Sequence, residues 1–218
     1  MMNLYIYCEG QTEESFIRHV LQDRLAEKNI FVTPIIATTK RTGLRKYSGG
    51  TVPYNKLRTE IKNLCANKAF YTTTMFDYYA LPQDVPGRKN PIGASIYEKA
   101  AHVESEWQKD IGEANFIPNV IMHEFEGMLF SEPDRFSYVD ARPMKLKEVQ
   151  AIREQFETPE HINDSASTAP SKRIIDIYPE YDKVLHGTQI AIDIGYDSIL
   201  KQCKHFCQWI HRLESFNE

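Results

Sequence analysis

Acidic residues follow three apolar runs of the sequence and are the residues best placed to do chemistry. They are Glu9 after the run at 3–8, Asp77 at the end of the run at 70–78, and Glu124 and Glu126 after the run at 116–123. If these runs are parallel strands, their carboxyl ends meet at one edge of a sheet, where ligands bind in open α/β sheets. Clustered carboxylates repel one another, so a folded cluster implies a bound cation. The pattern therefore predicts an Mg²⁺ or Mn²⁺ site with these four acids as oxygen ligands.

Such a site supports the hydrolysis of phosphodiester bonds, because divalent cations stabilise both the attacking and the leaving oxygen. We therefore expect a metal-dependent nuclease acting on DNA or RNA. Its expected catalytic residues are Glu9, Asp77, Glu124 and Lys172. The alternative is that Glu9 caps a helix and that Glu124 and Glu126 are solvated surface acids.

Two basic clusters are candidates for binding the phosphates of a nucleic acid. Lys172 and Arg173 follow Pro170 at a predicted helix start, where free backbone N–H groups favour anions. The second cluster lies in a glycine-containing loop and consists of Lys40, Arg41, Arg45 and Lys46. For both clusters a solvated surface is the alternative interpretation.

Hydrophobic periodicity predicts the elements that position these residues. Strands are expected at 3–8, 30–37, 70–78 and 116–123, and helices at 12–25, 54–67, 95–111, 145–155, 172–178 and 198–213, whereas 187–195 fits either type. Strand and helix alternate through residue 130, which predicts an α/β fold with a mostly parallel sheet flanked by helices. Residues 1–132 are the expected core, and 133–218 the expected, mainly helical extension packed on it within one domain.

The composition sets the broad class. The chain has 218 residues, of which 42% are apolar, enough for a sizeable core. Its net charge of -4 gives no overall basic footprint of the kind that nucleic-acid-binding domains carry. No apolar run reaches transmembrane length, so we expect no membrane association and a cytoplasmic location. The four Cys include Cys203 and Cys207, for which core packing is favoured over zinc binding.

The strand that ends in Glu9 and Gly10, the following helix, and the later strand that ends in Asp77 resemble the Toprim domain. This domain occurs in topoisomerases, bacterial primases and overcoming-lysogenization-defect nucleases. The resemblance implies that Glu9 and Asp77 are metal ligands. The second Asp of that family's Asp-x-Asp pair is replaced here by Tyr79, so Glu124 or Glu126 would have to supply the missing oxygen.

A closer resemblance covers most of the chain and is to domain-of-unknown-function family four-two-seven-six, a Toprim-like family. It is carried by motifs at 9–13, 75–79, 123–130, 169–173 and 205–209. Members of that family resemble accessory nucleases and are often linked with ATPases of the ABC or AAA type. The resemblance therefore implies an anti-phage defence role with an ATPase partner.

Two rival interpretations remain beside the nuclease. In the first, the Toprim-like site binds a metal or nucleotide without catalysis and regulates a partner ATPase, which the absence of an acid at Tyr79 favours. In the second, the chain is an interaction protein whose acids only cap helices. The sequence leaves open the choice between DNA and RNA, the specificity and the oligomeric state.

Overall fold

The sheet of this protein consists of parallel strands. The computed structural model describes residues 1–37, 53–163 and 168–217. Within these residues the strands are β1 (Met2–Cys8), β2 (Ile30–Ile36), β3 (Phe70–Asp77), β4 (Phe116–Ile117) and β5 (Val120–Ile121). Their order is β2-β1-β3-β4, with β5 also paired to β3, and every pairing is parallel. The predicted α/β fold with a mostly parallel sheet is confirmed.

The fourth apolar run forms two short strands rather than the single predicted strand at 116–123. Pro118 lies between them and has no backbone N–H to donate to a ladder. Side chains of β3 replace the missing backbone bonds: Thr73 Oγ1 donates to the Ile117 carbonyl at 2.5 Å, and Thr74 Oγ1 donates to the Asn119 carbonyl at 2.7 Å. The interrupted run therefore still follows β3 to the end that carries Asp77.

Helices flank the sheet, as predicted. They are α1 (Gln11–Phe16), α2 (Gln22–Ala26), α3 (Tyr54–Cys65), α4 (Ile96–Ile111), α5 (Glu126–Leu129), α6 (Pro143–Arg153), α7 (Pro170–Ile177), α8 (Thr188–Ile194), α9 (Tyr196–Gln202) and α10 (Lys204–Ser215). Turns of π-helix span Ile17–Leu21 and Lys183–Gly187, and 3₁₀ turns span Pro133–Tyr138 and Pro159–His161. Across the described residues, no helix is both long and apolar enough to span a membrane.

Two helix predictions were wrong in detail, and one segment that the sequence left undecided is now assigned. The first helix begins after Gly10 rather than Thr12, because the Glu13 carboxylate accepts the N–H of Gly10 and closes the first turn. The undecided segment at 187–195 is helical, as α8. The predicted helix at 198–213 is two helices, because Cys203 has an extended backbone conformation.

The buried side chains form two clusters, one on each face of the sheet. Alternate residues of β1 separate them: Leu4 and Ile6 belong to the larger cluster, and Tyr7 belongs to the smaller one with α3 and α4. The larger cluster also contains residues from 136 to 213, so the C-terminal segment shares the core of the sheet. The division at residue 132 stays a prediction.

Candidate functional site

The carboxyl edge of the sheet carries the acids that the sequence singled out. Glu9 directly follows β1, Asp77 ends β3, and Glu124 lies between β5 and α5, which begins at Glu126. The strands are in register at this edge, with Cys8 opposite Met75 and Asp77 opposite Ile121. Parallel pairing thus brings segments that are more than 100 residues apart in the chain to one end of the sheet.

Glu13 is a further acid at this edge that the sequence analysis did not include. Its side chain is buried and its Oε2 accepts the N–H of Gly10 at 2.9 Å. Burial and then the charge of Glu126 raise its pKa, whereas hydrogen bonds from the backbone oppose that rise. The sequence does contain a feature that could have identified Glu13: it lies three residues after Gly10, the residue before the helix. A glutamate at that position folds back onto the N–H of the residue before the helix, and Glu9 lies in the same turn.

Asp77 is the most strongly perturbed acid of this group. Its Oδ1 accepts the N–H of Phe125 at 2.8 Å, which ties the end of β3 to the segment before α5. Burial of the carboxyl group raises its pKa well above the ordinary value, and the charges of Glu13, Glu9 and Glu126 add to the rise. These carboxylates are therefore close enough to repel one another.

Glu9 stands at the exposed side of the same group. Crowding of its carboxyl group by protein atoms, followed by the charge of Glu13, raises its pKa to about 7. The residue as a whole is exposed, so solvent screens part of this effect. Glu9 is thus the exposed member of the cluster.

Lys183 is the basic residue at the cluster, and the sequence analysis missed it. Its Nζ lies 2.8 Å from Oε1 of Glu126, whose side chain is only 1% exposed. Burial opposes the charged form of Lys183, but the charge and hydrogen bond of Glu126 together with the charges of Glu124 and Asp77 outweigh it, so the pKa of Lys183 is raised. Burial raises the pKa of Glu126, and Lys183 lowers it in part. The ion pair joins the C-terminal segment to the edge of the sheet.

Glu124 occupies the N-terminus of α7. Its Oε2 accepts the N–H of Ser171 at 3.0 Å. The free N–H groups at this helix start were predicted to bind phosphate. In the structure one of them, the N–H of Ser171, donates to the Glu124 carboxylate instead. Negative charge is favoured there by the helix dipole, which stabilises the carboxylate of Glu124.

The basic residues predicted to bind phosphate are not brought to the acids by any contact that the structure describes. Lys172 is exposed on α7. Arg173 donates from Nε to the Thr168 carbonyl at 2.8 Å, and its guanidinium lies over the ring of Phe156. The predicted cluster of Lys40, Arg41, Arg45 and Lys46 lies outside the described residues. Phosphate binding by either cluster stays a prediction.

Backbone strain marks the junction between β5 and α5. His123, directly before Glu124, has a φ of 60°, in the left-handed region that non-glycine residues seldom adopt. Its ring centroid lies 5.8 Å from that of Tyr79, the residue at the position of the absent second Asp. Strain of this kind persists where surrounding contacts enforce it, and it concentrates at functional sites.

The donor set fits a hard divalent cation in its chemistry, since all of its members are carboxylates. In the described ranges, no three or more His, Cys, Asp or Glu side chains are already arranged to hold an ion. Asp77, Glu13 and Glu124 each give one oxygen to a backbone N–H, and Glu126 is paired with Lys183. Binding would therefore use the remaining oxygens and would need side chains to turn toward one another.

The protein is expected to lose stability as the pH rises from about 4.5 to about 7 in the absence of divalent cations. The pKa of Glu9 is raised from 4.5 to about 7 in the folded protein. In this window the folded state binds more protons than the unfolded chain, so the free energy of unfolding falls as the pH increases. Urea unfolding across the window measures the slope. Glu9→Gln should flatten it, and an unchanged slope in that variant would contradict the assignment.

Comparison with known proteins gives one match. A family model described as Domain of unknown function (DUF4276) matches residues 8–214. No curated protein and no solved structure matches the chain. The match confirms the family resemblance that five sequence motifs carried, while the Toprim relationship stays a prediction.

Proposed function

Because this chain belongs to the DUF4276 family, whose description assigns no activity, we propose its function from the acidic site: divalent-cation-dependent hydrolysis of phosphodiester bonds in DNA or RNA. The single observation that carries the proposal is the convergence of Glu9, Asp77 and Glu126 at the carboxyl edge of the sheet. Asp77 experiences the charges of Glu13, Glu9 and Glu126 together. A divalent cation with oxygen ligands relieves that repulsion, and phosphodiester hydrolysis is a reaction that such a cation promotes.

The residues of the site divide into holding and positioning roles. Asp77 and Glu126 would hold the cation, with Glu9 and Glu124 completing the set. Bound Mg²⁺ or Mn²⁺ would polarise the phosphoryl oxygen and stabilise the leaving oxygen. Glu13 holds the N–H of Gly10 and so fixes the turn that presents Glu9.

Two backbone hydrogen bonds fix acids of the site, and one exposed lysine is placed to meet the substrate. The Phe125 N–H fixes Asp77 at the end of β3, and the Ser171 N–H fixes Glu124 against α7. Lys172, exposed on the same helix, would meet the substrate phosphate from the solvent side. An ABC- or AAA-type ATPase partner and a role in phage defence come from the family resemblance in the sequence and complete the proposal.

A second candidate is a non-catalytic Toprim-like module that binds a metal or nucleotide and regulates a partner ATPase. One observation favours it: the ring of Tyr79 packs near His123, where the Toprim pattern has a second carboxylate. A site with one acid fewer binds a cation more weakly and positions a phosphodiester less firmly. Binding of the partner with no turnover in any metal is the result that distinguishes this candidate.

The test is a nicking assay on supercoiled plasmid and on single-stranded RNA, with Mg²⁺ or Mn²⁺. Wild type is expected to cleave one of these substrates, and Glu9→Gln is expected to lose that cleavage because it removes a cluster carboxylate with little change in shape. The matched control is Glu157→Gln, an exposed glutamate far along the chain from these acids. Full activity in Glu9→Gln would overturn the proposal. No cleavage by wild type favours the regulatory module, and the assay is then repeated with an ATPase partner and ATP.

A further inference from the structure

Lys183 begins a turn of π-helix whose backbone is held in place without the help of the acids at the carboxyl edge of the sheet. The turn spans Lys183–Gly187, and the Asp182 side chain caps it by accepting the Leu185 N–H at 2.7 Å. From this anchored backbone the lysine side chain reaches Glu126, with 2.8 Å between Nζ and Oε1. The side chain of Lys183 is 46% exposed, whereas that of Glu126 is 1% exposed.

The charge of Lys183 acts on the whole cluster and not only on Glu126. It lowers the pKa values of Glu9, Glu13 and Asp77 against the influences that raise them. A buried carboxylate without a partner is strongly destabilising, so Lys183 stabilises the cluster when no other cation is present. The protein therefore carries its own counter-ion at the carboxyl edge of the sheet.

A divalent cation at the same carboxylates would conflict with this ion pair. Two positive charges on one carboxylate repel each other, and that repulsion is strong where little water screens it. The ammonium group of Lys183 can move away from Glu126, because its four-carbon stem is flexible and about half of the side chain already contacts solvent. Movement of the side chain alone would vacate Glu126, since the backbone of the turn is capped by Asp182.

An unused polar atom lies beside the same carboxylates. The Tyr181 hydroxyl is buried and has no hydrogen-bond partner within the described part of the chain. The charges of Glu126 and Glu124 act on it, so it lies near both. A Cβ atom at Gly187 would stand 2.7 Å from this hydroxyl, so a larger residue there would force the tyrosine or the turn to shift. A hydrated cation would supply the partner that this hydroxyl lacks.

We propose that Lys183 is a tethered counter-ion that competes with a divalent cation for Glu126, so that cation binding displaces its ammonium group toward solvent. The inference rests on the cation site of the proposed function and adds a regulation of that site. The affinity for the cation then depends on the difference in free energy between two states of the cluster: one neutralised by Lys183 and the other by the bound cation. The lysine holds the site together in the cation-free protein and sets the cation concentration at which the site fills.

Calorimetric titration with Mn²⁺ tests this competition directly. Lys183→Met is expected to bind Mn²⁺ about tenfold more tightly than wild type, since one opposing unit charge has been removed. Lys183→Arg keeps the charge and should stay close to wild type. The matched control is Lys201→Met, which removes an exposed lysine of α9 that makes no described contact with the acids.

The outcomes separate this inference from the function on which it rests. Mn²⁺ binding by wild type with equal or weaker binding by Lys183→Met overturns the counter-ion and leaves the cation site standing. No Mn²⁺ binding by either protein overturns both. If Lys183→Met fails to fold, amine labelling of the wild-type chain, read by mass spectrometry, replaces it. Labelling of Lys183 should quicken when Mn²⁺ is added while that of Lys201 stays unchanged, and no change at Lys183 would overturn the inference.

Discussion

Replacing Asp77 with Asn is expected to abolish cation-dependent cleavage while leaving the cation-free protein at least as stable as wild type. The amide keeps an oxygen that can accept the Phe125 N–H, so the link between β3 and α5 persists. The change removes a negative charge from a place where three neighbouring glutamates oppose it. Because the pKa of Asp77 is raised in the folded state, its ionised form lowers the free energy of unfolding at neutral pH.

The loss of activity follows from the position of Asp77 at the end of β3, where the charges of Glu13, Glu9 and Glu126 act on it. A bound metal ion supplies several kcal/mol of transition-state stabilisation, which corresponds to about a thousandfold in rate. The measurements are the nicking rate at saturating Mn²⁺ and the midpoint of thermal unfolding without metal. The control is Asp134→Asn at an exposed aspartate, which should change neither. Lower stability of Asp77→Asn together with retained cleavage would mean that Asp77 is a structural acid.

The positions of the acids could be predicted because they follow from local sequence. A buried parallel strand is recognised as an apolar run, and the first carboxylate in the sequence marks its end. Because the strands are parallel, their carboxyl ends lie at the same edge of the sheet. Glu9, Asp77, Glu124 and Glu126 all reached the carboxyl edge of the sheet on this argument. The break at Pro118 was not predicted, since one strand was expected at 116–123, although a proline cannot donate to a central ladder.

Lys183 could not be predicted, because no local pattern links it to an acid 57 positions earlier. The pairing of Lys183 with Glu126 depends on how the C-terminal helices pack on the sheet. Such tertiary packing cannot be read from the periodicity of apolar residues. The π-helical turn that carries Lys183 precedes the segment at 187–195, which the sequence left undecided, and such a turn disturbs the spacing of apolar residues. Glu13 was not recognised as a member of the cluster for a different reason: its role at the helix start is local, but its place near Asp77 depends on β3.

Replacing Trp209 with Ala is expected to lower the free energy of unfolding by about 3–5 kcal/mol, the usual range for removing a buried tryptophan. The side chain is 2% exposed and its ring centroid lies 5.6 Å from that of Phe206. Its Nε1 donates to Thr73 Oγ1 at 2.9 Å, so α10 is bonded to the strand that ends in Asp77. The same threonine donates to the Ile117 carbonyl, so one residue links β3, β4 and the C-terminal helix.

Urea unfolding followed by circular dichroism measures this effect, and Trp209→Phe separates its two causes. Phenylalanine keeps much of the apolar volume but leaves Thr73 Oγ1 without its indole donor, so its cost should be smaller, near the 1–3 kcal/mol of one lost buried hydrogen bond. The single unfolding transition should persist in both variants, because the larger buried cluster contains residues of both segments. A second transition in Trp209→Ala, or a loss below 1 kcal/mol, would mean that the C-terminal segment is stable apart from the sheet. The acidic site depends on that attachment, since Lys183 and the N-terminus of α7 both reach it from the same segment.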